Sequence, residues 1–332
     1  MSEPPAQLAA LVKAIAAELG FERSGIAAAG PIPRGDFFRR WLANGHAGTM
    51  GYLHRHADSR VDVRAWLPWA RSVIVVALNY RQAAPAKPDD EPRGRVAMYA
   101  WGEDYHVVMR EKLHKMVERL RVDSPVADAA TPPRFQICVD TSAIIERELA
   151  MAAGVGWIGK NTMAIDPEIG SYFFLGEIIT DLELQPDAPA VDHCGSCTRC
   201  LEACPTQAFP APYAMDASRC ISYLTIEHRS AIDPALAEKT GDWIYGCDVC
   251  QDVCPHNHRA PEAAELRFAG SPAAEVSGGV TPADSAFPGL SVIEAWDDAA
   301  YRRSVTGKAS DRATLAMWQR NAANARENLT DL

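Results

Sequence analysis

Long apolar runs are missing from this 332-residue chain. Val73–Leu78 and Ile26–Ala29 are among the longest, and both fall far short of the roughly 20 residues that cross a bilayer as a helix. No membrane attachment is expected. A secretory leader is not expected either, because Met1–Pro5 carries only Glu3 as a charge and runs straight into an amphipathic segment. A cytoplasmic setting follows, and its reducing chemistry argues against disulfides. Excess positive charge is absent as well. With 33 Lys and Arg against 43 Asp and Glu the net charge is −10, which excludes a surface that is one continuous nucleic-acid patch. Local basic patches remain open: across 301–326, Arg302, Arg303, Lys308, Arg312, Arg320 and Arg326 stand against Asp311 alone. No internal repeat of useful length is present. What remains is an ordinary globular composition, 48% hydrophobic and 23% charged, long enough for two domains.

Cysteine is the exception to this ordinariness. Eight of the nine cysteines fall in two runs, Cys194-x2-Cys197-x2-Cys200-x3-Cys204-Pro205 and Cys220 followed by Cys247-x2-Cys250-x3-Cys254-Pro255. The first run has the spacing of bacterial ferredoxins, in which three thiolates hold one cubane and the fourth, beside proline, crosses to the other. On that pattern Cys194, Cys197, Cys200 and Cys254 hold one [4Fe–4S] cluster, and Cys220, Cys247, Cys250 and Cys204 hold a second. Zinc knuckles usually take two ligands each and do not use a run of four with a trailing proline. Two cubanes form an electron conduit. Cys138, within the apolar run Phe135–Val139, reads as a small buried hydrophobe.

Around the cysteines the chain alternates strands and helices. Leu8, Leu11, Val12, Ile15 and Leu19 recur at helical spacing, and Gly20 ends that helix. Ser72–Tyr80 is continuously apolar and β-branched, as a buried central strand should be. Arg81–Arg95 reads as a loop, and Tyr105, Met109, Leu113, Met116 and Leu120 mark a second long helix. Phe135–Asp140 predicts a strand, followed by a helix capped by Thr141 or Ser142 and ending at Gly154. Two short apolar runs lie in Ser171–Leu184. An α/β domain over 1–187, a cysteine module over 188–262 and a linker with a helical segment over 263–332 are expected.

Asp140 stands at the C-terminal end of its strand, the edge where open α/β sheets bind ligands, and its carboxyl is placed for acid–base work or for capping the next helix. Gly154-Val-Gly156-Trp-Ile-Gly159-Lys160-Asn161 matches G-x-G-x-x-G and G-x-x-x-x-G-K, but it follows a helix rather than a strand and lacks the Ser or Thr of a phosphate loop. A glycine-rich loop pressed against another large cofactor is the expectation. His106, His193, His228 and His256 carry no ligand assignment by default. No D-x-H-x-x-G motif is present, so composition and spacing reveal no corrinoid.

The ordered stretches Trp41–Met50, Tyr99–His106, Val139-Asp140 with Glu146-Arg147, Gly156–Thr162, Gly170–Glu177, Asp192–Cys197, Cys220–His228 and Gly246–Gln251 together resemble the epoxyqueuosine reductase family. The resemblance implies a fold of class α/β (α+β). A cobalamin-binding α/β domain related to reductive dehalogenases would carry a ferredoxin-like module with two [4Fe–4S] clusters and a short, truncated HEAT-like helical C-terminus. It implies an oxidoreductase that reduces epoxyqueuosine to queuosine at the wobble position (34) of tRNA, the last step of queuosine biosynthesis. The partners implied are a tRNA with a GUN anticodon and a low-potential donor of flavodoxin or ferredoxin type, and the chain would act as a monomer.

Residue by residue, the family's proton donor falls on Asp140. Arg60, Tyr105, Asp140, Trp157, Lys160, Asn161, Ser171, Ser222 and Asp248 fall where cobalamin would be contacted. Glu227 and Arg229 fall where tRNA would be met, with the basic run 302–326 as a phosphate-contacting candidate. Reductive dehalogenation of a small molecule and plain electron carriage are the competing functions. The first is usually exported behind a twin-arginine leader, and Arg39-Arg40 lies too deep for one. The second needs no large N-terminal domain.

Overall fold

The computed structural model describes residues 5–123, 132–269 and 281–330; part of the linker expected after residue 262 lies outside them. Its strands are β1 (Arg23–Ala28), β2 (Ser72–Asn79), β3 (Arg95–Val96), β4 (Phe135–Cys138), β5 (Trp157–Ile158), β6 (Ala164–Ile165), β7 (Phe173–Thr180) and β8 (Trp243–Tyr245). The chain forms two compact units that do not follow chain order: residues 1–45, 51–79 and 106–197 make one, and 46–50, 80–105 and 198–332 make the other.

The first unit is built on a four-stranded sheet in the order β1-β2-β7-β4, with every pairing antiparallel. All eight residues of β2 are buried, as its unbroken apolar sequence predicts for a strand covered on both faces. Each Val, Ile or Leu sealed there contributes roughly 1.5–3 kcal/mol of transfer free energy. On one face Val73, Val75, Cys138 and Ile179 share a core with Leu149 and Ala150 of the helix Glu146–Ala152. Two glycines allow close packing. A Cβ on Gly25 of β1 would stand 2.0 Å from the Ala153 carbonyl oxygen, and one on Gly176 of β7 would stand 2.8 Å from Met109 Cε.

The two long helices appear where the periodicity places them, at Pro5–Glu18 and Tyr105–Asp123. The helix after Asp140 differs. It begins at Glu146, not at Thr141 or Ser142, so Asp140 does not cap it. The Thr141 N–H instead turns back to the Val139 carbonyl, and Arg60 Nη1 donates to the Ile144 carbonyl at 3.1 Å. These contacts spend the local backbone outside a helix. The two apolar runs within Ser171–Leu184 belong to one strand, β7.

In the second unit β3 and β8 pair in parallel, and the C-terminal helix Leu315–Thr330 packs on β8 and on the helices Leu290–Glu294 and Ile221–Ile226. Asn321 is buried and donates to the carbonyls of Thr225 and Ile244, while Trp318 stacks on Tyr245 at 5.2 Å. Half of the basic run is spent on contacts within the chain. Arg320 donates to the carbonyls of Leu224, His228 and Ser230, Arg312 forks onto Glu227 at 2.9 and 3.0 Å, and Arg326 pairs with Glu294. Arg229, Arg302 and Arg303 stay exposed.

Candidate active site and cluster centre

At the C-terminal end of β4 the chain turns sharply, and Asp140 adopts a left-handed backbone with φ +54°. Asp and Asn enter that region far more readily than other side chains with a Cβ. The carboxyl is exposed, and its Oδ2 lies 3.3 Å from His106 Nε2 on the neighbouring helix. Its backbone N–H donates to Glu146 Oε1 at 2.5 Å. An exposed carboxyl beside a histidine, on a loop tied to Glu146, is an arrangement that can give or take a proton.

Beneath that loop lies a group that carries no assignment from sequence. Glu177 sits in β7 between Val75 of β2 and Cys138 of β4, with no solvent exposure. Neither of its carboxyl oxygens meets an N–H or hydroxyl donor among the described residues. The group it meets is the Glu146 carboxyl. Burial pushes both acids above the usual carboxylate range; after burial, the Glu146 charge raises Glu177 further and the Asp140 charge raises Glu146. Two carboxyl groups in contact hold together by sharing a proton. The signal in the sequence is one charge inside the apolar run Phe-Phe-Leu-Gly-Glu-Ile-Ile-Thr.

The glycine-rich stretch is a hairpin joining β5 to β6, and its glycines are used internally. A Cβ on Gly156 would stand 2.8 Å from the Ile165 carbonyl oxygen, and one on Gly159 would stand 2.4 Å from Ile165 Cδ1. These contacts give the glycines a role in packing the hairpin on itself. At the tip, Asn161 is buried and its Oδ1 accepts the Met163 N–H. Thr162 has φ +64°, and its carbonyl accepts from Arg147 Nη1 at 2.5 Å. Lys160 Nζ donates to the carbonyls of Gly195 and Cys197 at 2.6 and 2.9 Å, so it braces the start of the first cysteine run. The Trp157 indole N–H and the Lys160 backbone N–H both face Cys194 Sγ.

Cys204, Cys220, Cys247 and Cys250 stand close enough for their charges to be felt mutually, and Cys200 faces Cys250. Burial pushes the thiols of Cys220, Cys247 and Cys250 up, so a thiolate is favourable there only beside a cation. Among the described residues no three His, Cys, Asp or Glu groups converge to hold one metal ion.

The other sequence candidates are distributed as follows. Arg60 is buried and holds the loop after Asp140, with its Nε unpartnered. Ser171 is buried, and Tyr105 and Ser222 are half-buried. Asp248 is buried in the second unit, accepts the Met98 N–H at 2.7 Å, and is pushed up to about 7 by burial. Glu227 is taken by Arg312.

Residues 193–257 match the family described as 4Fe-4S double cluster binding domain, and residues 60–141 match Epoxyqueuosine reductase QueG, DUF1730. Over 96% of its length the chain is 39% identical to an epoxyqueuosine reductase of Xanthomonas campestris, covering 86% of that protein. It is also 39% identical to one from Synechocystis, with 85% of this chain and 91% of the relative covered. Among solved structures, a selenomethionine-labelled epoxyqueuosine reductase superposes with TM-score 0.84 at 31% identity, over 98% of this chain and 82% of that one. An epoxyqueuosine reductase with an epoxyqueuosine-modified tRNA-Tyr stem loop superposes with TM-score 0.83 over the same shares.

Proposed function

The chain belongs to the epoxyqueuosine reductase family, and from that membership we propose that it reduces epoxyqueuosine to queuosine at the wobble position of tRNA. The reaction removes the epoxide oxygen as water and leaves a carbon–carbon double bond, so it consumes two electrons and two protons. The observation that carries the reading is the pairing, in one chain, of a double-cluster cysteine set with an accessible Asp140 beside His106.

The residues divide the work. The eight clustered cysteines hold two [4Fe–4S] clusters that pass electrons singly. Cobalamin, when bound, would supply a strongly reducing cobalt. The buried, unpartnered Nε–H of Arg60 fits a group with amide carbonyls on its rim, as the corrin has. Tyr105, Trp157, Ser171 and Ser222 are proposed as further contacts. Lys160, Asn161 and Asp248 are proposed as contacts too, and each also fixes the backbone around it. Asp140 protonates the departing oxygen, and His106 orients its carboxyl. As sequence segments, 1–187 is proposed to supply most of the cofactor contacts, 188–262 the cluster ligands and 263–332 the helical end, although in the fold residues 46–50 and 80–105 group with the later segments.

Arg229, with Arg302 and Arg303, is proposed to meet phosphates. A flavodoxin or ferredoxin donor, a monomeric state and a cytoplasmic setting complete the reading; among the described residues no helix is long and apolar enough to cross a membrane.

The test is anaerobic incubation of cluster-loaded protein with cobalamin, a low-potential reductant and epoxyqueuosine-containing tRNA, followed by mass spectrometry of the nucleosides. Loss of one oxygen from the modified base is expected. An unchanged nucleoside, with both clusters reduced and cobalamin bound, would overturn the assignment.

A further inference from the structure

The dipeptide Glu146-Arg147 opens a helix, and each member reaches a different loop. Glu146 Oε1 accepts the Asp140 N–H, and Arg147 Nη1 donates to the Thr162 carbonyl. Asp140 and Thr162 both hold left-handed backbones at residues with a Cβ, an arrangement that costs roughly 1–2 kcal/mol each and persists only when neighbours impose it. One helix start therefore holds both loops in place. Behind Glu146 stands Glu177, fully buried and with no donor of its own.

We propose that Glu146 and Glu177 share one proton, that the pair thereby carries a single negative charge, and that it acts as the positioning device of Asp140. Glu177, enclosed by three strands, keeps the proton. Glu146 carries the charge, where the Asp140 N–H and the neighbouring Arg147 guanidinium stabilise it. The shared proton pins Glu146 to the sheet, and Glu146 pins the Asp140 loop. This assignment rests on the proposed function for its kinetic consequences and stands apart from it for its spectroscopic ones.

Charge dictates the pH behaviour. The titratable and charged groups facing the pair are Cys138 on β4, Asp140 on the loop, Arg147 on the helix and Arg60 from the segment Ala57–Val61, with His106 beyond Asp140. Burial pushes the Cys138 thiol up to about 12, so it stays neutral. As pH rises the pair loses its last proton, and two negative charges then face each other in the interior. They must separate, and Glu146 leaves the Asp140 N–H. Positioning fails on the alkaline side without any loss of Asp140 itself.

Four variants and one spectrum test this. In Glu177→Gln the amide can donate to Glu146, no second charge can form, and the alkaline fall in single-turnover rate due to the pair should disappear. In Glu146→Ala the Asp140 N–H loses its acceptor, and the rate should fall about 10²-fold with KM little changed, since a misplacement of about 1 Å costs that much. Glu146→Gln, whose amide oxygen still accepts, should recover most of that loss. Infrared spectra of the protein without tRNA or cobalamin should show a protonated buried carboxyl band near neutral pH, absent from Glu177→Gln and retained in an Asp140→Asn control. Loss of the band in that control instead, or a wild-type rate in Glu146→Ala, would overturn the proposal. If the protein converts no epoxyqueuosine, the infrared arm still decides whether the pair shares a proton.

Discussion

Replacing Asp140 by Asn separates chemistry from scaffolding at the proposed acid. The backbone there is left-handed, φ +54°. Asn tolerates that region as well as Asp does, and it keeps an oxygen and a nitrogen within reach of His106. The helix that follows starts at Glu146, so no cap is lost. The anchoring bond runs from the Asp140 backbone N–H, which the substitution leaves intact. What disappears is the transferable proton. General acids contribute about 10²–10⁴-fold, or roughly 2.7–5.5 kcal/mol of barrier at 1.36 kcal/mol per decade. Asp140→Ala would add backbone strain of roughly 1–2 kcal/mol to the same chemical loss, so it should be less stable as well as slow. The assay is single-turnover conversion of epoxyqueuosine-containing tRNA by pre-reduced enzyme, with cluster content and melting temperature measured in parallel. A slow Asn variant with unaltered clusters and stability is the expected result. An Asn variant as fast as the wild type would remove Asp140 from the chemistry, and the reasoning from its exposure would fail with it.

Iron and acid-labile sulfide in anaerobically purified protein should each approach eight per chain, because two cubanes hold four of each; one zinc per site without visible absorption would contradict the cluster assignment. Lys160→Met should shorten the lifetime of the cluster nearest Cys194 and Cys197 in air, read by loss of visible absorption, because the loop loses two lysine–carbonyl bonds. The thermal stability of cofactor-free protein should decline as pH rises. Glu177 and Glu146 bind their protons more tightly folded than unfolded, so their contribution is complete below the unfolded carboxyl value and is lost as pH climbs through the raised folded values. Glu177→Gln should flatten that alkaline decline, and equal slopes would refute it. Arg320→Met should cost about 2 kcal/mol of stability, since charged donors to carbonyls contribute at that level, while tRNA affinity holds; a selective loss of RNA binding would reverse the assignment of Arg320 to internal packing.

Legibility followed locality. The helices Pro5–Glu18 and Tyr105–Asp123 and the strand at Ser72 were readable because periodicity and unbroken apolar character act over neighbouring residues. The cysteine sets were readable because ligand spacing is itself local. The start of the helix after Asp140 was not, since Thr141 and Ser142 resemble caps while Arg60, some eighty residues earlier in sequence, takes the Ile144 carbonyl. The antiparallel order β1-β2-β7-β4 was hidden for the same reason: it is decided by which strands meet, not by their composition. Glu177 gave a faint signal, a carboxyl in an apolar strand, but its role depends on Glu146 thirty-one positions away in the chain and opposite it in space.

The basic run shows why charge counted along a sequence misleads about partners. Arg320, Arg312 and Arg326 read as a phosphate surface, yet a guanidinium has five donors and a geometry suited equally to carboxylates and carbonyls of its own chain. Here the donors of Arg320 and Arg326 tie the C-terminal helix to its neighbours, and Arg312, in the turn before it, pairs with Glu227. Arg229, Arg302 and Arg303 remain exposed, in a chain of net charge −10. Counterion release scales with the number of phosphates neutralised, so each exposed arginine that meets RNA should steepen the salt dependence of binding by about one phosphate. Phosphate contacts carry no sequence information, so recognition of the modified base in the proposed function also needs contacts to the unstacked anticodon, through stacking and hydrogen bonds to the nucleobase.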